Sequence, residues 1–483
     1  MINFRACYLY LIIVFVALFA VFPLTDSDIW WHLACARKWV TTWTPVREPV
    51  VNVHEYFQQV VAIVYDVGGA PLLVVFKAIL WGLVFALFLR GVKCRNLTSS
   101  AIAVVVLFIF RYQFEIRPVL FSLLFLGIYW NVLPWLFRTR NEMRGLCAKR
   151  VACVALVLVL QWLWCRFQGL YILGPLFALL ILWANGWSRR WGAFVVLLFA
   201  MPLLHRDGLN LFLYPFGLLD RLLGLSPSAA IFASEIAENR SPITLLLNGE
   251  NVLQSSMMIL LSLAGIVLAV RRLRHAETVW LLVTAVLALV AERNFVLFLP
   301  VFFAVGVKCW PRLCLCKQSH DVRPSRLPNR LPPAAYRLLP TLLIAFTLGL
   351  WAKSLAFYDR SMVAYQRVPV AATQWMLENP HSGRLFNDDR AGGYLAFMNP
   401  SDSTFIDGRF ILKTAEFFEK YLRYAESPQT FLHDADSLDI DRVVLPLRYY
   451  ARWDKLLETL DSSEKWHVAY RDSLFVVMDR TAH

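Results

Sequence analysis

The sequence lacks most of the motifs that announce soluble chemistry. It has no Gly-rich phosphate loop, no His-Glu-x-x-His pair and no Ser/His/Asp arrangement, which sets aside the nucleotide, zinc-protease and triad readings that those motifs carry. None of its nine cysteines lies beyond Cys316. Cys309, Cys314 and Cys316 share a basic stretch, but no second Cys/His pair supplies a zinc spacing, so the cysteines read as free thiols and no metal centre is expected from them. The first apolar run, Leu9 to Leu24, is followed by no small-residue cleavage site. It exceeds a signal-peptide core of about 7–15 residues and reads as a retained helix. A strict internal repeat is missing as well.

Apolar surface is what the chain has in abundance. Hydrophobic residues make up 58% of the 483, against about 45–50% in soluble domains. Apolar runs approaching 20 residues recur, the mark of membrane-spanning helices. About eleven spans are expected by that criterion, near Tyr8–Leu24, Pro71–Leu89, Ala101–Phe110, Pro118–Phe137, Val151–Cys165, Leu170–Ala184, Trp191–Leu204, Leu253–Val270, Val279–Val290, Phe295–Val307 and Leu338–Trp351.

The net charge of +14 conceals a split. Residues 354–483 hold 15 Lys/Arg and 19 Asp/Glu, a net of −4, so the remainder carries +18. That positive charge sits in short loops between apolar runs, which argues for topology rather than nucleic-acid binding. Loops 90–99, 137–150, 187–191, 271–277 and 308–337 hold 20 Lys/Arg and only Glu142, Glu277 and Asp321 as acids. Loops 25–70, 111–117, 166–168, 205–252 and 291–293 hold ten Lys/Arg and twelve acids. The positive-inside rule puts the first set in the cytoplasm, with the amino terminus inside and the tail outside. The expected organisation is a polytopic helical membrane domain, 1–353, with long outer loops 25–70 and 205–252. An extracytoplasmic α/β domain, 354–483, follows. Segments 28–40 and 54–66 are candidate interfacial helices, with Trp30, Trp31 and Trp39 as anchors. In the tail, strands are expected at Arg384–Asn387, Thr404–Ile406 and Arg442–Pro446, between short helices, before a final strand pair.

Chemistry-bearing residues gather on the outer side. Asp26-x-Asp28 follows the first span directly. Two carboxylates at that spacing can share a divalent cation, or one can act as general base. Equally, Thr25, Ser27 or Asp28 can simply cap a helix beginning at Ile29. One acid can cap while the other works. His32 and His54-Glu55 lie in the same loop and can converge on the acids, or be an ordinary interfacial His and a helix-opening acid. Arg117, Arg166 and Arg293 mark span ends, where arginine either snorkels to lipid headgroups or binds phosphate through its planar fork. In the tail, Asn387–Tyr394 and Ile406–Arg409 follow expected strand ends, where open α/β sheets bind ligands; turn chemistry is the plainer reading.

The pattern Asp26-x-Asp28-x-Trp30-Trp31-His32-Leu33, His54-Glu55, Arg117-Pro118, Tyr214-Pro215, Glu235-x-x-Glu238-x-x-Ser241-Pro242 and Asp407-Gly408-Arg409 resembles a family of bacterial multispanning GT-C-type glycosyltransferases. These are relatives of the protein mannosyltransferases and of oligosaccharyltransferase catalytic subunits. The resemblance covers nearly the whole chain. It implies a cytoplasmic-membrane enzyme that takes a sugar from a polyprenyl-phosphate carrier on the outer face, with membrane lipid as its surroundings. Asp26 or Asp28 would then be the base or a metal ligand, with a divalent cation between them as a possible cofactor. Arg117 and Arg293 would hold the donor phosphate, and His32, His54 and Glu55 would orient substrate. Where relatives carry Trp-x-Asn-x-His-Gly, this chain departs with Trp164-Cys165-Arg166-Phe167-Gln168-Gly169. The rival readings are a non-catalytic protein that binds or exports a glycan, and a transporter. Ionisable residues at span ends rather than mid-span disfavour the transporter.

Overall fold

A computed structural model describes residues 7–39, 41–47, 51–92, 97–137, 147–271, 273, 275–314, 335–448 and 451–481. Each apolar run of the sequence forms a helix. The membrane domain comprises α1 (Cys7–Phe19), α2 (Asp28–Arg37), α3 (Glu55–Phe88), α4 (Leu97–Ile109), α5 (Pro118–Leu136), α6 (Cys147–Phe167), α7 (Leu173–Asn185), α8 (Arg189–Ala200), α9 (Gly208–Leu223), α10 (Pro227–Glu235), α11 (Pro242–Leu247), α12 (Val252–Val270), α13 (Ala276–Val290), α14 (Phe295–Cys314) and α15 (Ala335–Ala356). Among the described residues, five helices are long and apolar enough to cross a membrane, or six if the bent pair Arg189–Leu204 and Gly208–Asp220 is one span. The expected count of about eleven is therefore not reached by length. Several apolar helices, among them Leu9–Phe19 and Leu97–Ile109, fall below 18 residues, short of the roughly 20 that a bilayer core asks for.

Helices α1, α3, α4 and α5 form the centre of the bundle, with Phe19, Trp81, Phe85, Phe88, Leu107 and Leu126 buried between them. Helix α15 rests on α4 and leaves Leu338, Leu342 and Phe346 exposed, the all-round apolar surface of a span that faces lipid.

Of the two candidate interfacial segments, the first is packed against protein on both sides. Helix α2 buries every residue from Ile29 to Cys35, because it is sandwiched between α3 and a helix of the tail. Its tryptophans pack on protein: the Trp30 ring lies 4.8 Å from that of Tyr394 and 5.9 Å from that of Tyr65. Segment 54–66 is the opening half of α3. The helix breaks at Gly68 and Gly69, and Gly69 takes φ of 63°, a conformation that only glycine adopts cheaply. Pro71 then starts the second half without an N–H to satisfy. Helix α9 turns 107° from the preceding helix. It exposes Leu209, Leu213, Phe216 and Leu219 on one face.

The tail folds as α16 (Val370–Glu378), β1 (Arg384–Asn387), α17 (Asp389–Met398), α18 (Ala415–Glu426), α19 (Pro428–Ser437), β2 (Ile440–Pro446), α20 (Asp454–Asp461), β3 (Trp466–Arg471) and β4 (Phe475–Arg480). The sheet order is β1-β2-β4-β3, with β1 and β2 parallel and the other pairs antiparallel. Thr404–Ile406 does not join the sheet. The Asn387 side chain donates to the Ile406 carbonyl and accepts from the Phe405 N–H, at 2.7 and 2.8 Å, taking backbone groups that a ladder would use. The segment pairs instead with the stretch that follows α2: Trp43 N–H donates to Thr404 O at 2.9 Å, and Thr404 N–H to Thr41 O at 3.0 Å.

A buried clasp fixes that pairing. Arg409 donates Nε to Asp407 Oδ1 at 3.0 Å and Nη1 to the Trp39 carbonyl at 2.8 Å, and Thr41 Oγ1 donates to Asp407 Oδ2 at 2.8 Å. Lys413 Nζ reaches Thr42 Oγ1, Thr44 Oγ1 and the Thr44 and Pro45 carbonyls, all within 3.1 Å. Replacing Arg409 by Met leaves Asp407 buried without its counter-charge, at about 3–5 kcal/mol. The expected outcome is a lower thermal midpoint and new protease cuts in the 39–47 loop, read by limited proteolysis of the detergent-solubilised protein.

Candidate functional site

The site is built where three stretches of chain meet: the exit of α1, the entry to α5 and the loop after α10. Arg117 precedes Pro118, and the residue before proline is pushed into extended backbone. Its φ and ψ of −118° and 156° set the guanidinium on the junction. Nε donates to Asp26 Oδ2 at 2.5 Å and Nη2 to Asp26 Oδ1 at 3.0 Å. Nη1 and Nη2 donate to the two Glu238 oxygens, each at 2.7 Å. This fork is engaged by protein carboxylates on both edges, so Arg117 acts here as their counter-charge, and a donor phosphate would have to displace one of them.

The two aspartates divide the roles that the sequence left open. Asp26 accepts the Asp28 N–H at 3.2 Å, so it is Asp26 that caps α2 while also holding Arg117. Asp28 is half-buried and makes no ion pair among the described residues. Burial pushes its carboxyl up to about 8, with the charges of Asp26 and Glu238 adding to the effect against the pull of Arg117. Glu238 goes the other way. Burial alone would raise it, but the Arg117 ion pair outweighs that, helped by Arg293 and Arg390, and holds it at about 2. Neighbouring carboxylates with proton affinities driven apart are the arrangement that acid–base chemistry uses.

The tail reaches this site directly. A side chain on Gly408 would overlap Asp28 Oδ1, and a Cβ on Gly393 would stand 2.8 Å from the Trp31 nitrogen. The two tail motifs following strand ends are therefore closely fitted to α2. Asp388 caps α17 through the Ala391 N–H at 2.9 Å, and Asp407 belongs to the Arg409 clasp.

The remaining candidates fall on either side. His32 is buried, with its ring edge-on to His54 at 5.3 Å. Burial keeps both imidazoles neutral: His32 lies well below the ordinary histidine range, and His54 is lowered to about 4. His54 Nδ1 faces the Phe167 carbonyl at 3.4 Å. A carbonyl only accepts, so Nδ1 carries the proton and Nε2 is left as an acceptor. Arg293 donates Nη1 to Asn239 Oδ1 at 2.6 Å. It is exposed and, among the described residues, keeps further N–H groups without a protein partner. Glu55 is not brought to the aspartates. It pairs with Arg206 at 3.0 Å and Arg166 at 3.7 Å, and Arg166 holds Asp207 at 2.5 Å. The departure from Trp-x-Asn-x-His-Gly thus places a buried arginine where Glu55 needs a counter-charge. Glu238 is the site residue that sequence reasoning passed over, although the Glu235-x-x-Glu238 spacing carried the signal.

A shared divalent cation does not suit this arrangement. Among the described residues no three His, Cys, Asp or Glu side chains are grouped to hold one, and the Asp26 carboxylate already faces a guanidinium.

The fold has solved counterparts. An archaeal oligosaccharyltransferase, AglB from Archaeoglobus fulgidus, in complex with an inhibitory peptide and a dolichol-phosphate, is similar over 92% of this chain and 70% of its own, with TM-score 0.57 and 14% identity. The apo form of the Archaeoglobus fulgidus oligosaccharyltransferase matches over the same shares with TM-score 0.58 and 14% identity. The chain has the oligosaccharyltransferase fold. A helical bundle followed by a small α/β unit, the build that the resemblance implied, is thus the architecture observed. No model of a known protein family matches the chain, and no curated protein sequence does.

Within this fold Arg117 and Arg293 should respond differently to truncation. Arg117→Ala leaves two carboxylates facing each other without a cation and is expected to destabilise the protein by about 3 kcal/mol. Arg293→Ala, on an exposed side chain, is expected to leave the thermal midpoint of the detergent-solubilised protein within a degree or two.

Proposed function

We propose that the protein is a membrane glycosyltransferase. It transfers a sugar from a polyprenyl-phosphate-linked donor to an acceptor at the outer face of the bacterial cytoplasmic membrane, its amino terminus inside and its tail outside. The observation that carries this reading is Asp28: a carboxyl without an ion-pair partner among the described residues and with raised proton affinity, set where the stretch after α1 meets the tail on an oligosaccharyltransferase fold. The archaeal counterpart has been captured with dolichol-phosphate, a lipid phosphate of the same chemical class as the donor proposed here.

The chemistry follows from the charges. An acceptor group next to Asp28 gives its proton to the carboxylate as it attacks the anomeric carbon. The bond from that carbon to the phosphate oxygen breaks, and the polyprenyl phosphate leaves with the electron pair. Arg293, with N–H groups to offer, neutralises the departing phosphate. Arg117 pairs with Asp26 and holds Glu238 ionised, so that Glu238 does not compete for the proton. The neutral imidazole of His54 presents Nε2 to accept a hydrogen bond from a sugar hydroxyl.

A base must be unprotonated to act. Because the Asp28 carboxyl is raised to about 8, its reactive form grows as pH rises through that value. In the purified protein kcat/KM is expected to climb about tenfold per unit up to pH 8 and then level. Asp28→Asn should lower kcat by about 100-fold or more and remove that limb, while Asp26→Asn should chiefly lower stability through the lost cap and ion pair. Full activity in Asp28→Asn would replace this reading with that of a glycan-binding membrane protein.

A further inference from the structure

One charged pair lies beneath the site and takes no part in the chemistry above. Lys77 sits inside the apolar half of α3 with its side chain fully buried. A lysine at that depth is kept only where it has partners and a task. Its Nζ donates to the Phe22 carbonyl at 3.2 Å, stands 3.7 Å from Glu115 Oε2 and lies 3.4 Å above the Phe22 ring. Glu115 is buried too, and it accepts from the Thr25 hydroxyl. Its carbonyl accepts from Trp81 Nε1 at 3.1 Å, one turn further along the same face of α3.

The consequence is geometric. Residues 22–26 leave α1 and carry Asp26. Residues 115–117 enter α5 and carry Arg117. Both stretches are fastened to one face of α3 by the Lys77–Glu115 pair, directly below the place where Asp26 and Arg117 meet. We infer that Lys77 and Glu115 are positioning residues: they hold Thr25 and Asp26 in register, and so fix the capped end of α2 that presents Asp28. The inference rests on the reading of Asp28 as the reacting acid.

The test is a charge-neutral swap read by a property of Asp28 itself. Lys77→Met and Glu115→Gln singly each leave a buried charge alone and should express poorly. The double variant K77M/E115Q removes both charges and should recover expression. In the full-length protein, labelling of the Asp28 carboxyl by a water-soluble carbodiimide, which needs the protonated acid, is followed against pH by mass spectrometry. The wild type should lose labelling with a midpoint near 8. The double variant should show that midpoint lowered by a unit or more, as a loosened α2 end lets water reach the carboxyl. A midpoint that stays or rises in a folded double variant overturns the proposal. Should the double variant not fold, Thr25→Ala deletes only the hydroxyl on Glu115. It should lower the midpoint in the same direction with an unchanged thermal midpoint, and no shift there overturns the proposal equally. Because labelling needs no substrate, this inference and the glycosyltransferase reading fail separately: Asp28→Asn in a transfer assay decides the latter.

Discussion

One guanidinium decides how this end of the bundle is arranged. Arg117 stands between Asp26 and Glu238, and each belongs to a different loop. Without that cation, the buried Asp26 carboxylate and the partly exposed Glu238 would repel, and the loops that carry them would part. With it, the exit of α1, the entry of α5 and the loop after α10 form one surface. The pairing also leaves Asp28 as the acid without a counter-charge. Burial is the main cause of its raised proton affinity, and the charges of Asp26 and Glu238 add to it.

The tail is part of this surface rather than an appendage. The Asp407–Arg409 clasp holds Thr41 and the Trp39 carbonyl after α2, and the absence of a side chain at Gly408 makes room for the Asp28 carboxyl. Helix α2 is therefore gripped on both sides, by α3 below and α17 above. An acid held between two bodies keeps its position more strictly than one on a free loop, which is what proton transfer in a defined geometry needs.

Much of this was legible in the chain, and the rest was hidden for physical reasons. Apolar runs located the helices because burial and lipid make the same compositional demand. Among the described residues five or six pass the length criterion for a crossing, since a helix such as α4 is short and packs much of its apolar surface against protein. Trp30 and Trp31 suggested an interface, but aromatic rings serve a packed junction equally well. The tail strands were visible in their alternation, except at Thr404–Ile406, where one side chain, Asn387, diverts the backbone partners. The acids themselves were visible as a cluster. Which of them caps and which remains free depends on Arg117, which lies 91 residues away in sequence from Asp26. Lys77 stood in plain view as a lone cation in an apolar run, but its partner Glu115 is brought to it only by the packing of α3 against the entry of α5.

The central claim is that Asp28 and Arg293 face one lipid-phosphate site at the junction of the first outer loop and the tail. The most direct measurement is an electron cryomicroscopy structure of the full-length protein in nanodiscs with undecaprenyl phosphate. The account requires the phosphate within hydrogen-bond distance of Arg293 and the Asp28 carboxyl directed toward it, with Arg117 still held by Asp26. A phosphate seated on the Arg166–Arg206 side, with Asp28 closed off beneath Gly408, would contradict it.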